Sequence, residues 1–296
     1  MFEASEVHFS IPVTIRVNSD LPESEISPYA KRTFQVFAQF EQHLSTFDPQ
    51  GELHKLNRQR GRPMQVSESL FELLTFALKL ANKSHGAFDP CVYDFLEAYG
   101  HYTDGIPNPQ AIRALKNRRS GFREIILTPE TKTVQLLPSQ KIDLSALTKG
   151  YVIDLSAQIL LSRFQHFLID AAGDLLSIGN SHNKPYWEVP IHNPYHEIGG
   201  TVTLKVSNRG VATTTSFGEK ETMVINPRTG EKANELISVT VVAPSAIRAD
   251  SLCTTAFALG LHKGMALLEQ EQGVEGIMIT PDRTVLCTSG MKKYFT

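Results

Sequence analysis

Cysteine is scarce in this 296-residue chain. Cys91, Cys253 and Cys287 are too few and too scattered for a disulfide framework or a thiolate metal site, and are expected to be ordinary core thiols. No apolar run approaches the roughly 20 residues that span a bilayer. The opening residues, Met1-Phe2-Glu3-Ala4-Ser5-Glu6, carry acids where a secretory signal has a basic segment, so a cytoplasmic location is expected. Neither sign of charge predominates: 29 Lys plus Arg stand against 31 Asp plus Glu, a net charge of -2, which argues against the broad footprint of a nucleic-acid or anionic-membrane binder. No low-complexity linker divides the chain, and a single domain over residues 1–296 is expected. What is present is 41% hydrophobic content, ample at this length for a substantial core and for partners that are small molecules or proteins.

The pattern along the chain is mixed. Val7, Phe9, Ile11, Val13, Ile15 and Val17 alternate as one long half-buried strand, with Pro12 marking an edge or bulge. After Pro22 and Pro28 a helix runs through Phe34, Phe37, Ala38 and Leu44, and Ser67 is the expected N-cap of another that ends near Gly86. Residues 105–122 read as a turn, a short basic helix and a linker, with Lys116, Arg118 and Arg119 a solvated face. Strands follow at 123–128, 133–137, 166–170, 174–178, 186–191, 200–206, 222–225 and 236–242, then a long helix near 245–259 and a final strand pair near 275–287. Hairpin-connected strands with grouped helices imply an α+β fold, largely antiparallel sheets with packed helices.

Several polar, glycine-rich segments are candidates for chemistry. In the run from Asp143 to Asp154, Lys149 and Gly150 fall where a turn should become a helix, near free backbone N–H groups that suit phosphate, although Asp143 as a cap and Lys149 as a solvated cation is the plainer account of that segment. Ser45-Thr46-Phe47-Asp48-Pro49 and Gly86-Ala87-Phe88-Asp89-Pro90 each set an aromatic beside an acid, suited to a planar ring and its hydrogen-bond donors, or simply to a helix-ending turn. Asp170-Ala171-Ala172-Gly173-Asp174-Leu175 is a tight strand-to-strand turn, or a place where a ligand meets backbone. Asn226-Pro227-Arg228-Thr229-Gly230 is another turn, in which Arg228 and Thr229 are able to hold phosphate oxygens. Asp250 and Thr254 lie four apart on the helix that Ser245 opens, a carboxylate and a hydroxyl suited to a hard divalent cation.

These segments together resemble, in order, the ApbE-like family of FAD:protein FMN transferases, formerly labelled thiamine biosynthesis lipoproteins. The resemblance spans about residues 36–290. Residues 45–57 look like the family's early S-T-[YF]-[DR]-P signature with its trailing Asn57; residues 86–90 match G-A-F-D-P, residues 143–154 look like D-L-[SG]-[AG]-x-A-K-G-x-x-x-D with Thr148 at the A position, residues 226–230 match N-P-x-T-G, and residues 243–254 match A-P-S-A-x-x-A-D-x-x-x-T. The resemblance implies a flavin site with a divalent metal, usually Mg, at which FAD is cut at its pyrophosphate, FMN is esterified to a Thr or Ser of an acceptor protein, and AMP leaves. It implies FAD contacts at Phe47, Ala87, Phe88, Asp89, Asp143, Lys149, Gly173, Asp174, Met223 and Thr229. The metal ligands it implies are the Ala146 carbonyl, Asp250 and Thr254, with Asp250 and Lys149 the catalytic pair.

Three departures from the family fall near the reacting phosphates. Met223-Val224-Ile225 precede Asn226 where many members have a histidine, Ala172-Gly173 replaces a Gly-Gly pair, and Ala212-Thr213-Thr214-Thr215 replaces A-T-S-G. Two other activities are therefore also compatible with the sequence: a metal-dependent FAD pyrophosphatase giving FMN and AMP, and a non-catalytic FAD-binding protein.

Overall fold

The computed structural model describes the chain except residues 47, 104, 118–120, 192–201, 217–222 and 296. The strands are β1 (Phe2–His8), β2 (Ile11–Val17), β3 (Met64–Gln65), β4 (Ile126–Thr128), β5 (Thr133–Gln135), β6 (Phe167–Ala171), β7 (Asp174–Ile178), β8 (Trp187–Ile191), β9 (Val202–Val206), β10 (Arg209–Thr215), β11 (Ile225–Asn226), β12 (Glu231–Lys232), β13 (Ser238–Ala243), β14 (Glu275–Ile279) and β15 (Val285–Cys287). The helices are α1 (Glu23–His43), α2 (Glu52–Arg58), α3 (Glu68–Lys83), α4 (Tyr93–Ala98), α5 (Pro109–Lys116), α6 (Ser145–Leu161) and α7 (Ala246–Gln270). The chain forms two compact units, one of Met1–Glu41, Thr148–Thr222 and Glu235–Thr296, the other of Gln42–Leu147 and Met223–Asn234.

The first unit is built on an eight-stranded antiparallel sheet in the order β1-β2-β6-β7-β10-β13-β14-β15. All six residues of β13 are buried, because both sheet faces are covered there. Helix α7 packs on β10 and β13. The β8–β9 hairpin brings Trp187, Val189 and Leu204 against Leu168, Leu175, Val211 and Val242, with Met291 and Tyr294 closing the cluster.

The stretch from Val7 to Val17 is a hairpin, not one strand: β1 and β2 pair from Phe2↔Val17 to His8↔Ile11. Its turn, Phe9-Ser10, takes positive φ of 51° and 60° with no glycine or asparagine to announce it. The apolar alternation runs on through the sequence, but the two-residue turn sets His8 opposite Ile11 on one face and so shifts the inward phase from even to odd positions: Val7 is exposed while His8, Val13, Ile15 and Val17 are buried. Pro12 is on an interior strand, yet only Val13–Val17 pair with β6, so no bond to β6 is lost to its missing N–H. Strand β10 lies at the sheet's centre in a segment where the sequence suggested only a glycine-poor motif. Helix α7 outruns its expected end at 259. Gly260 (φ 75°, ψ -176°) breaks the helical geometry and a second segment continues, with the Glu235 carboxylate against Gly260 and accepting the Leu261 N–H at 3.2 Å. Cys91 and Cys253 are core thiols as expected, but Cys287 is exposed on the edge strand β15.

The second unit carries the small sheet β3-β5-β4 and the ribbon β11–β12 among helices α2 to α5. Leu53, Leu56, Leu70, Leu73, Leu74, Leu136 and Ile142 form its interior. Ser67 caps α3 as expected, its Oγ accepting Leu70 N–H at 3.3 Å while donating to Glu52 at 2.6 Å. Helix α1 begins at Glu23, so Pro28 lies inside it rather than before it. No described helix is long and apolar enough to cross a membrane.

Candidate functional site

In the first unit, two close backbone approaches set the start of α7. A Cβ at Gly150 would stand 2.6 Å from the Ala246 carbonyl oxygen and 2.6 Å from Ile247 Cα. Gly210 on β10 meets the Ser245 backbone at similarly close range. Only glycine permits this, and the contact lets Asp154 on α6 accept the first N–H groups of α7: Ala246 N at 2.8 Å on Oδ1 and Ile247 N at 2.9 Å on Oδ2. The helix end is thus capped by a carboxylate from another helix, matching its positive dipole end. Ser245 adds its own cap at 3.4 Å to Arg248 N.

One turn into α7, the buried Asp250 carboxylate accepts the Gly150 N–H at 3.0 Å. This revises the expectation for Lys149 and Gly150. Helix α6 already begins at Ser145, so the pair lies in its second turn and the Gly150 N–H serves Asp250 instead of standing free for phosphate. Lys149 forms an ion pair with Asp174, which is 3% exposed and whose other oxygen accepts Thr213 N–H at 3.2 Å. Burial works against the Lys149 ammonium, but Asp174 and then Asp250 outweigh it and hold its pKa above the ordinary lysine value. The Asp250 carboxyl is pushed up to about 8, by burial first and by Asp174 second, against the opposing pull of Lys149 and the Gly150 N–H.

Thr254 presents its hydroxyl one turn beyond Asp250, 3.4 Å from the Thr214 hydroxyl. Between them Cys253 is locked as scaffold: its Sγ accepts Thr214 N–H at 3.1 Å and donates to the Val239 carbonyl at 2.9 Å, and burial pushes the thiol up to about 12. Carboxylate and hydroxyl oxygens four residues apart on one helix face, with the thiol turned to the backbone, make a donor set that fits a hard divalent cation. The β6–β7 turn places Ala172 and Gly173 at φ of 54° and 99°. A Cβ at Gly173 would meet nothing within 4 Å, so its glycine serves the turn geometry and not a tight protein contact.

In the second unit Asp143 is fully engaged. Its Oδ1 accepts Ser145 N at 3.0 Å and Ser145 Oγ at 2.5 Å, and its Oδ2 accepts the Tyr102 hydroxyl at 2.7 Å. Tyr102 stacks on Tyr93 at 4.7 Å. The buried Asn57 side chain clamps the preceding residue, donating to the Ile142 carbonyl and accepting its N–H, both at 2.8 Å. Asp89 spends both oxygens on backbone, Cys91 N at 2.8 Å and Phe122 N at 3.2 Å, and burial raises its pKa. Ala87 and Phe88 are buried beside it. Thr229 is exposed in the β11–β12 turn, its Oγ accepting Glu231 N at 3.3 Å, and the adjacent Arg228 donates twice to the His85 carbonyl, at 3.1 and 2.7 Å. Met223 and Ala146 are half-buried, Ala146 in the first turn of α6. Phe47 lies outside the described residues.

Motif order and geometry meet in the comparisons. The ApbE family model matches residues 9–278. The chain belongs to the ApbE family. A FAD:protein FMN transferase of Treponema pallidum is 31% identical, covering 94% of this chain and 84% of that protein. Another, from Klebsiella pneumoniae, is 30% identical over 81% of this chain and 73% of its own length. Among solved structures, the ApbE protein of Thermotoga maritima superposes with a TM-score of 0.87 at 25% identity, covering 100% of this chain and 99% of that one. The flavin transferase ApbE of Vibrio cholerae shares the fold at TM-score 0.87 and 21% identity.

Sequence reasoning isolated Asp250, Thr254, Lys149 and Asp174 but left Asp154, Gly210, Asn57 and Tyr102 without roles. The first three stand in or beside recognisable motifs. Tyr102 has no signal of its own, since nothing in its neighbours announces a partner 41 residues away.

Proposed function

We propose that this protein transfers FMN from FAD to a Thr or Ser hydroxyl of an acceptor protein, releasing AMP, with a divalent cation, Mg2+ in the first instance, at Asp250 and Thr254. The observation that carries the reading is the buried Asp250 carboxylate, one turn from the Thr254 hydroxyl and anchored by Gly150, in a chain similar over nearly its whole length to FAD:protein FMN transferases. The resemblance adds the Ala146 carbonyl to that ligand set. A cation held by these residues would supply charge neutralisation to the pyrophosphate.

The acceptor oxygen forms a bond to the phosphorus of the FMN half, the bond from that phosphorus to the AMP oxygen breaks, and the hydroxyl proton is released. Lys149, kept charged by its carboxylate neighbours, supplies a positive group to the developing charge on the phosphoryl oxygens. Asp154, Gly150 and Gly210 hold the helix that carries Asp250, so that no reorganisation is needed at the moment of transfer. In the second unit Ala87, Phe88, Asp89, Asp143, Met223 and Thr229, with Phe47, are the proposed flavin-facing set. Asp89 and Asp143 also brace their own loops, through bonds to Cys91, Phe122, Ser145 and Tyr102.

Incubation of the purified protein with FAD, Mg2+ and an acceptor tests this directly: the acceptor gains the mass of FMN, and Asp250→Ala abolishes the gain. One observation favours a second reading. Met223 offers no group that can accept a proton from the acceptor hydroxyl, and with water in its place the same site yields FMN and AMP. Free FMN and AMP with an unmodified acceptor would establish that activity instead.

A further inference from the structure

We propose that Asp174 is a positioning residue that stores the Lys149 ammonium beside Asp250, making the lysine the resident cation of the ligand-free site, and that Lys149 leaves for the nucleotide's phosphates when a divalent ion arrives. The inference rests on the metal reading of Asp250 given above.

Three charged side chains share this corner of the first unit, and two of them are fixed. Asp174 is held through Thr213 N–H, and Asp250 through Gly150 N–H on a helix whose start is clamped by Asp154. Lys149 is the one with freedom to move: its side chain is 35% exposed, and four methylenes carry the ammonium. The nearby hydroxyls of Thr213 and Thr240 satisfy each other at 2.9 Å, and Cys253 is committed to the Val239 carbonyl, so neither supplies a countercharge.

The count of charge then sets the sequence of events. With Asp250 ionised, as it must be to ligate a cation, two carboxylates and one ammonium leave the corner at -1, attractive to a cation and repellent to a pyrophosphate. A divalent ion at Asp250 brings it to +1, competes with the ammonium for the same carboxylates, and makes the site attractive to phosphate. An ammonium repelled from Asp250 and able to swing on its stem goes to the incoming anion. Lys149 therefore opposes metal binding in the absence of nucleotide and favours nucleotide binding in the presence of metal.

Mn2+ titration of the nucleotide-free protein, with the free ion read by electron paramagnetic resonance, separates these effects. Lys149→Met is expected to tighten Mn2+ binding about tenfold or more, the scale of removing one unit charge near a buried carboxylate. Lys149→Gln should act likewise, Lys149→Arg should stay near wild type, and Asp174→Asn should weaken binding about tenfold. With Mn2+ saturating and ADP as the probe, Lys149→Met should instead weaken nucleotide binding several-fold. A lysine that only supports the fold would lower both affinities together. Unchanged or weaker Mn2+ binding in both Lys149→Met and Lys149→Gln overturns the proposal. If Asp250→Ala binds Mn2+ as well as wild type does, the metal reading itself fails and this inference goes with it.

Discussion

Replacing Gly150 with alanine tests the idea that one hydrogen atom's worth of space positions the helix that carries the proposed metal ligand Asp250. The added Cβ would lie 2.6 Å from both the Ala246 carbonyl oxygen and Ile247 Cα, where ordinary contact begins at 3.4 Å, so the start of α7 must retreat by 3.4 - 2.6 = 0.8 Å. Both neighbours are backbone and have no rotamer by which to move aside. The same retreat, taken along the two bonds from Asp154, stretches them from 2.8 and 2.9 Å to about 3.6 and 3.7 Å, beyond hydrogen-bond range. Overpacking of this kind costs about 1–3 kcal/mol, and losing bonds to a buried carboxylate adds about 1.5–3 kcal/mol. We expect Gly150→Ala to lower unfolding free energy by about 3–5 kcal/mol in urea denaturation, and to weaken metal binding because the Gly150–Asp250 bond moves with the helix. Gly105→Ala is the control. Gly105 has a φ of 80° but open space around it, so its cost is only the left-handed strain of about 1–2 kcal/mol. A Gly150→Ala protein no less stable than Gly105→Ala would refute the close-approach argument.

Asp250→Asn should reduce FMN transfer by about a hundredfold or more while leaving the metal-free protein at least as stable at neutral pH, because a neutral amide replaces a carboxylate that burial disfavours. The raised Asp250 pKa also fixes a pH dependence. Folding moves this group from 3.8 to about 8, so the folded state holds a proton that the unfolded chain has released, and the stability of the metal-free protein falls as pH rises through that window. Saturating Mg2+ should flatten the slope and Asp250→Asn should remove its Asp250 component; an unchanged slope in Asp250→Asn would assign it to other groups. Ala172→Gly should raise stability by roughly 0.5 kcal/mol, since relief of left-handed strain at φ 54° slightly exceeds glycine's extra chain entropy. A thermal melt that moves down on this substitution would show that the turn is not strained.

The parts of this fold that could be read from sequence are those where a single local rule decides. Ser67 caps α3 because its hydroxyl suits a free N–H, and β7 spans residues 174–178 because Asp174 and four apolar or small residues follow a turn pair. The parts that could not be read depend on a partner distant in the chain. Strand β10 carries three consecutive threonines after Gly210 and has no apolar alternation to announce a central strand; its place is set by pairing with β7 and β13. Helix α7 reads as ending near 259 because Gly260 does break it, and the continuation depends on Glu235, 26 residues upstream, accepting the Leu261 N–H. At the candidate site the chemistry-bearing types, Asp250, Thr254, Lys149 and Asp174, were legible from motif order. Their roles were not, because the Gly150 N–H looks like a phosphate donor until the structure gives it to Asp250 across 100 residues.

That last bond also bears on how the acceptor hydroxyl would lose its proton. With methionine at position 223, Lys149 is a tempting substitute base, but a base must first be neutral. Asp174 and Asp250 both favour the ammonium, and together they outweigh the burial that would release its proton. Asp250 would have to choose between ligating a cation and accepting a proton, and Asp174 is already committed to Lys149 and Thr213. In the arrangement observed Lys149 is held charged, Asp250 is the proposed cation ligand and Asp174 is paired, so none of the three is left to take the proton. We therefore expect a transition state in which the P–O bond to AMP is largely broken before the acceptor oxygen is deprotonated, with catalysis resting on stabilising the leaving phosphate more than on activating the nucleophile. Introducing Met223→His should then raise transfer mainly at low acceptor reactivity and leave AMP release to water nearly unchanged. A large, equal increase in both rates would show that proton removal limits the reaction and that the cationic groups around Asp250 are not its main source of acceleration.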